Sequence, residues 1–217
     1  MGDYEAAREA MVEGQIRPAD VTRRDIQAAM LTVPRERFVP AELRPIAYAD
    51  AQPRLGAGRV LLDPRTFAKM LDAAEPKPDD LVLDVGCGYG YSSMVIAQVA
   101  AAVIALEENA DLADRAAALF AELGADTVAL ERGPLADGAP DAGPFDVIMV
   151  EGAIETPPAR LLDQLKDGGR LVAVWADGPA GHARLYRRAG SVVSHRRVFD
   201  ALAPVLPGFD APKGFSF

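Results

Sequence analysis

The 217-residue chain is 50% hydrophobic, 25% charged and 6% aromatic, which excludes a disordered or fibrous polypeptide and suffices for one sizeable core. Its 32 acidic side chains outweigh 23 Lys and Arg, and a net charge of -9 opposes nucleic acid and anionic membranes as partners. A single cysteine, Cys87, rules out an internal disulfide, and charged residues crowd the first ten positions where a signal-peptide core would follow, so a cytoplasmic protein is expected.

The first sixty residues read as two helices and an irregular arm. Ala6 to Glu13 suits a helix, and Thr22 can cap a second, with Asp25 three residues on and Ile26, Ala29, Met30 and Val33 as its apolar stripe. Pro34 ends that pattern, and the Pro, Gly and Arg of 50–58 favour an ordered loop. Asp63-Pro64 then reads as an N-cap and a first-turn proline, opening a helix through Phe67, Met70 and Leu71. From Asp80, apolar runs (Leu81–Val85, Val103–Glu107, Val128–Glu131, Phe145–Val150, Arg170–Trp175) alternate with helix-length segments. That alternation predicts an α/β fold with a doubly wound, mostly parallel sheet covered by helices on both faces. Arg184–Arg188, the turn Ala189-Gly190-Ser191 and Val192–Phe199 predict a C-terminal antiparallel hairpin at its edge, making seven strands. The longest nearly apolar stretch, Met94 to Leu106, is interrupted by Gln98 and is shorter than the roughly 18 to 20 residues that cross a bilayer.

The most informative segment is the run from Leu81 to Tyr91, a strand entering the turn Gly86-Cys87-Gly88-Tyr89-Gly90 ahead of a helix over Ser92–Val99. Such a turn lets a ligand approach the backbone, and Glu107, twenty-one residues past Gly86 at the end of the next strand, is placed to hold a ribose diol. A dinucleotide needs a third glycine where Tyr91 stands, and Asp84 suits a cationic ligand group better than a phosphate. S-adenosylmethionine, with ribose, adenine, an ammonium and no phosphate, fits better; a dinucleotide and a ligand-free turn stay open. Cys87 reads as a small turn residue, since neither His182 nor His195 is near it in sequence, and one cysteine with two scattered histidines predicts no metal site. The pairs Arg23-Arg24, Arg187-Arg188 and Arg196-Arg197 read as solvated faces.

Several segments together carry a resemblance over residues ~11 to ~175. They are Met11-Val12 with Gln15-Ile16, Ala28-Ala29-Met30, Val33-Pro34-Arg35-Glu36-Arg37-Phe38-Val39-Pro40, Ala47-Tyr48-Ala49-Asp50, the glycine turn with Tyr91, Pro144-Phe145-Asp146, Pro158 and Leu161-Leu162-Asp163-Gln164-Leu165. In these the chain resembles the protein-L-isoaspartate O-methyltransferase family. The resemblance implies a class I S-adenosylmethionine-dependent methyltransferase fold, with a helical extension and substrate-side arm over 1–63 and a Rossmann-like cofactor domain over 64–217. It implies cofactor contacts from Asp84, Gly86, Cys87, Gly88, Glu107, Glu108, Gly133 and Pro134, and a protein or peptide carboxylate as methyl acceptor.

The chain departs from the family's pattern on the acceptor side. The family's Thr-Ile-Ser is Val60-Leu61-Leu62 here, so Leu62 stands where the functional serine belongs and Val60 replaces a second hydroxyl. The family's Gly-Asp-Gly is Gly133-Pro134-Leu135, without the usual acid near the adenine, and Glu151 stands where a small residue is common. An ionised carboxylate needs positioning rather than a general base, so the absence of a nearby histidine is no objection. Lost hydroxyls matter more, at about 1 to 3 kcal/mol per unsatisfied group. Two readings follow: isoaspartyl methylation that is weakened or redirected, and a catalytically silent cofactor-binding protein acting through a partner. Tyr48 or Ser92 could also take over the missing hydroxyl work.

Overall fold

The structure, a computed structural model, describes residues 4–178 and 180–212. Helix α1 (Tyr4–Met11) begins before the expected Ala6 and continues past Glu13, through a wide turn over Val12–Ile16 and a tight one over Arg17–Ala19. Helix α2 (Arg24–Thr32) buries Ile26, Ala29 and Met30 as its spacing predicts. Its N-cap is Arg23, not Thr22, and no side chain caps it; Arg23 instead pairs with Asp25 through Nε at 3.1 Å. The stretch expected to be a loop contains a small antiparallel hairpin, β1 (Arg54–Gly56) with β2 (Arg59–Val60). Helix α3 (Pro64–Ala74) starts as its sequence dictates, Asp63 accepting from the Thr66 N–H at 2.8 Å.

The remaining elements are β3 (Leu81–Val85), α4 (Tyr91–Ile96), β4 (Ala102–Glu107), α5 (Ala110–Leu123), β5 (Val128–Arg132), β6 (Phe145–Ile154), α6 (Ala159–Asp163), β7 (Leu165–Asp177), β8 (Ala180–Ala189) and β9 (Val192–Asp200). Seven strands form one sheet in the order β5-β4-β3-β6-β7-β8-β9. The first five are parallel, and β8 and β9 extend the β7 edge as an antiparallel hairpin. Helix α4 is shorter than expected, and β7 runs well beyond Arg170–Trp175 at both ends. Chain order reverses between β3 and β6, and the ends of these two strands form the crevice where ligands of open α/β sheets bind.

Alternation along the central strands explains their unbroken hydrophobicity. Val147 and Met149 of β6 join the cluster on one face, and Ile148 and Val150 join the cluster on the other, so both sides of the pleat are buried. The first cluster is continuous with the N-terminal elements: Met11, Ile16, Ile26, Met30 and Phe38 share it with Phe67, Val95 and Val174. Arg170 on β7 ties the end of α3 to the sheet, donating to the Ala74 carbonyl at 2.6 Å and pairing with Asp80 at 2.5 Å. After β9 the chain returns along β6, where the Ala153 N–H donates to Pro204 and the Leu206 N–H to Ala153, and this sets Leu206 against the glycine turn. No helix among the described residues is long and apolar enough to cross a membrane.

Candidate active site

Strand β3 delivers Asp84 and then the glycine turn to the crevice. Gly86 and Cys87 both donate to the Leu106 carbonyl, at 2.8 and 3.2 Å, which fastens the turn to the neighbouring strand β4. Gly86 (φ 79°) and Gly88 (φ 58°) adopt left-handed backbone that other residues resist. Close approach forbids a side chain there as well: a Cβ on Gly86 would stand 2.5 Å from Arg59 Nη2, and one on Gly88 would stand 2.6 Å from Leu55 Cδ1.

Glu107 ends β4 inside this turn and is fully buried. Its Oε2 accepts from the Gly88 N–H at 2.9 Å, and its Oε1 accepts from the N–H groups of Glu108 and Asn109, both at 3.1 Å. The sequence places the acid against the glycines, and three backbone donors fix its side chain there. It does not reveal the fourth partner. Arg59, itself buried, reaches in from β2, pairs with Glu107 Oε1 at 3.0 Å and donates to the Gly86 carbonyl at 2.5 Å.

Asp84 is fully buried and braces α4, its Oδ2 accepting from Ser92 at 2.6 Å and Ser93 at 2.5 Å. Burial pushes its pKa up to about 6 in spite of those hydroxyls. Glu151, one position beyond the β6 residue that pairs with Val85, is pushed well above the usual carboxylate range, first by burial and then by the Asp84 carboxyl. Asp84 Oδ1, Glu151 Oε1 and Arg59 Nε are all buried without a hydrogen-bond partner. Unmet polar atoms of this kind, gathered at a strand-end crevice, mark a place for a polar ligand group.

The other residues singled out from sequence are placed as follows. Cys87 is buried and its thiol is pushed up by burial, so it is an inert part of the turn. Glu108 is exposed, and its Oε2 accepts from the Leu135 N–H at 3.3 Å, so it braces the segment containing half-buried Gly133 and exposed Pro134. Val60 is half-buried, and a cleft of ≈ 400 Å³ lies beside it, lined by Arg54, Gly56, Gly58, Arg59, Val60 and Pro204. Leu62 is only 2% exposed: its side chain belongs to the core, and its carbonyl accepts from Arg35 at 2.7 Å. Neither proposed substitute hydroxyl is free, because Ser92 is bound to Asp84, and Tyr48 donates to Glu36 while accepting from Arg8.

Two residues to which the sequence assigns no structural role organise this region. Arg35 is completely buried, donates to the Ala47 and Leu62 carbonyls at 2.7 Å each, and lies 4.8 Å over the Tyr91 ring. Tyr91, the residue that breaks the dinucleotide pattern, packs against Phe38 and Phe67 with ring centroids 5.7 Å apart in each case. No group of three His, Cys, Asp or Glu among the described residues could hold a metal ion.

Comparison with known proteins shows what the chain as a whole is similar to. The family model for protein-L-isoaspartate (D-aspartate) O-methyltransferase matches residues 6–202. A protein-L-isoaspartate O-methyltransferase of Opitutus terrae is 43% identical over 173 residues, covering 78% of this chain and 74% of its own. Another, of Methylorubrum populi, is 39% identical over 211 residues, covering 95% and 98%. In fold, the chain superposes with a TM-score of 0.78 on a Plasmodium falciparum chain described as a protein-L-isoaspartate O-methyltransferase in complex with S-adenosyl-L-homocysteine; they share 20% identity over 95% of this chain and 99% of that one.

Proposed function

The chain belongs to the protein-L-isoaspartate O-methyltransferase family, and from that premise we propose that it is an S-adenosylmethionine-dependent methyltransferase that esterifies carboxylates of isoaspartyl residues in proteins or peptides. The observation that carries this reading is Glu107, held by three backbone N–H groups against the glycine turn at the crevice between β3 and β6. The residues present fit the cofactor: a carboxylate for a ribose diol, a turn whose glycines carry no side chains of their own, and buried Asp84 and Glu151 with unmet oxygens for an ammonium.

When bound, the cofactor supplies a methyl group on a sulfonium, which an already ionised carboxylate attacks in line without a general base. The chain's task is then to hold the acceptor and exclude water. Leu62 offers no hydroxyl, Val60 presents an apolar wall to its cleft, and Tyr48 and Ser92 are engaged elsewhere, so isoaspartyl turnover is low or redirected to a carboxylate that needs less hydrogen bonding. On this reading residues 1–63 are the acceptor-side arm and 64–217 the cofactor domain. Repair of damaged proteins in the cytoplasm is the setting it implies, with Cys87 as a buried, unpaired thiol.

The test is transfer of a labelled methyl group to an isoaspartyl peptide, with the aspartyl isomer as control. Base-labile label on the isoaspartyl peptide alone is expected. Cofactor binding without label on either peptide would overturn the isoaspartyl reading.

A further inference from the structure

We propose that Arg59 is an internal competitor for the cofactor cradle, so that cofactor affinity is set by withdrawal of its guanidinium from Glu107 and Gly86. The inference rests on the cradle being the cofactor site, as argued above, and adds a residue that controls entry to it.

Arg59 engages the two groups that a ligand in this cradle must use. Its Nη1 takes Glu107 Oε1, the acceptor a ribose hydroxyl would want, and its Nη2 lies against Gly86 where the missing Cβ leaves space. The same hairpin puts Leu55 into the equivalent space above Gly88. Both glycine approaches are thus filled by one small element of this chain. A ligand that needs bare backbone there must move it.

The hairpin is built to move. Its register comprises only the pairs Arg54↔Val60 and Gly56↔Arg59, and its turn holds three successive residues, Gly56, Ala57 and Gly58, at φ 101°, 50° and 74°. Arg59 Nε has no hydrogen-bond partner in its buried position, so the guanidinium is held by only part of its donor set. The cleft of ≈ 400 Å³ that Arg59 itself lines gives the side chain somewhere to go. Glu107 keeps its three backbone donors when Arg59 leaves, so the acceptor stays aligned for a diol.

The probe is S-adenosyl-L-homocysteine, titrated calorimetrically into the wild type, Arg59→Ala and Arg59→Gln. Removing the competitor should tighten binding by about tenfold or more, the scale of one lost charge-assisted contact. In the wild type, hydrogen exchange should rise at 54–60 and fall at 86–90 when the probe is added. That measurement decides the matter even when a variant fails to fold. Variants that bind equally or more weakly than a binding-competent wild type, or exchange that falls at 54–60 with the probe, would overturn the competition and leave the cofactor reading intact. Folded wild type and variants that all fail to bind would overturn both.

Discussion

Replacing Leu62 by serine is the obvious way to restore the hydroxyl pattern, and the structure predicts that it unfolds more than it restores. Leu62 is 2% exposed within a cluster that includes Phe67 and Tyr91. Truncating a leucine in so close-packed a place costs about 2–5 kcal/mol, and the serine hydroxyl adds about 1–3 kcal/mol wherever it finds no partner. The Leu62 carbonyl is already engaged by Arg35. A loss of about 4 kcal/mol is expected, a large part of the roughly 5–15 kcal/mol that holds a typical domain together. Val60→Thr is nearly isosteric at a half-buried site and should cost less than about 1 kcal/mol. Urea unfolding followed by the single tryptophan, Trp175, whose ring lies 3.7 Å from the Arg184 guanidinium, measures both. A Leu62→Ser loss below about 1 kcal/mol with an unchanged urea slope would refute the core placement and return this position to the acceptor side.

Three further outcomes are expected. Asp84 and Glu151 bind protons in the folded protein at pH values where the unfolded chain has released them, so their contribution to stability falls as pH rises through their raised pKa values. Glu151→Gln should therefore gain on the wild type in thermal unfolding as pH rises above the usual carboxylate range, and a constant difference would show an ordinary carboxyl. Arg170→Ala, which leaves buried Asp80 unpaired and the Ala74 carbonyl unmet, should cost about 3–5 kcal/mol, and the added change Asp80→Asn should recover part of it in calorimetry. Cys87 should react with a disulfide reagent only at the rate of unfolding, and rapid labelling of the native protein would contradict its burial.

Local features of this protein were readable because their causes are local. Asp63-Pro64 carries its own cap chemistry, and the apolar runs of β3, β4 and β6 admit only burial on both faces. Glu107 was found because strand-end spacing sets it beside the turn. Arg59 was missed because its position depends on a hairpin whose Pro- and Gly-rich text reads as a loop; the signal available was Gly56-Ala57-Gly58 between two short apolar-containing runs. Arg170 and Asp80 are 90 residues apart, and Arg35 meets Leu62 across 27, separations at which pattern says nothing. Thr22 failed as a cap because the extended residue that starts α2 is Arg23, whose side chain turns to Asp25. The acceptor side was legible in composition and not in burial: Leu62 lacks a hydroxyl, and only packing shows that its side chain belongs to the core.

The added hairpin also determines what the open side of the sheet offers to other chains. Strand β9 is the outermost strand, and most of its residues are exposed, including Val192 and Val193. An outermost strand among the described residues can offer its peptide groups to another strand, the first step towards an unwanted fibril. Its middle residues are His195, Arg196 and Arg197. Two copies meeting head to tail about that midpoint would bring Arg196 against Arg196, and like charges placed directly opposite oppose the alignment. The solvated arginine pair thus guards a border that lies four strands away from the glycine turn's strand β3.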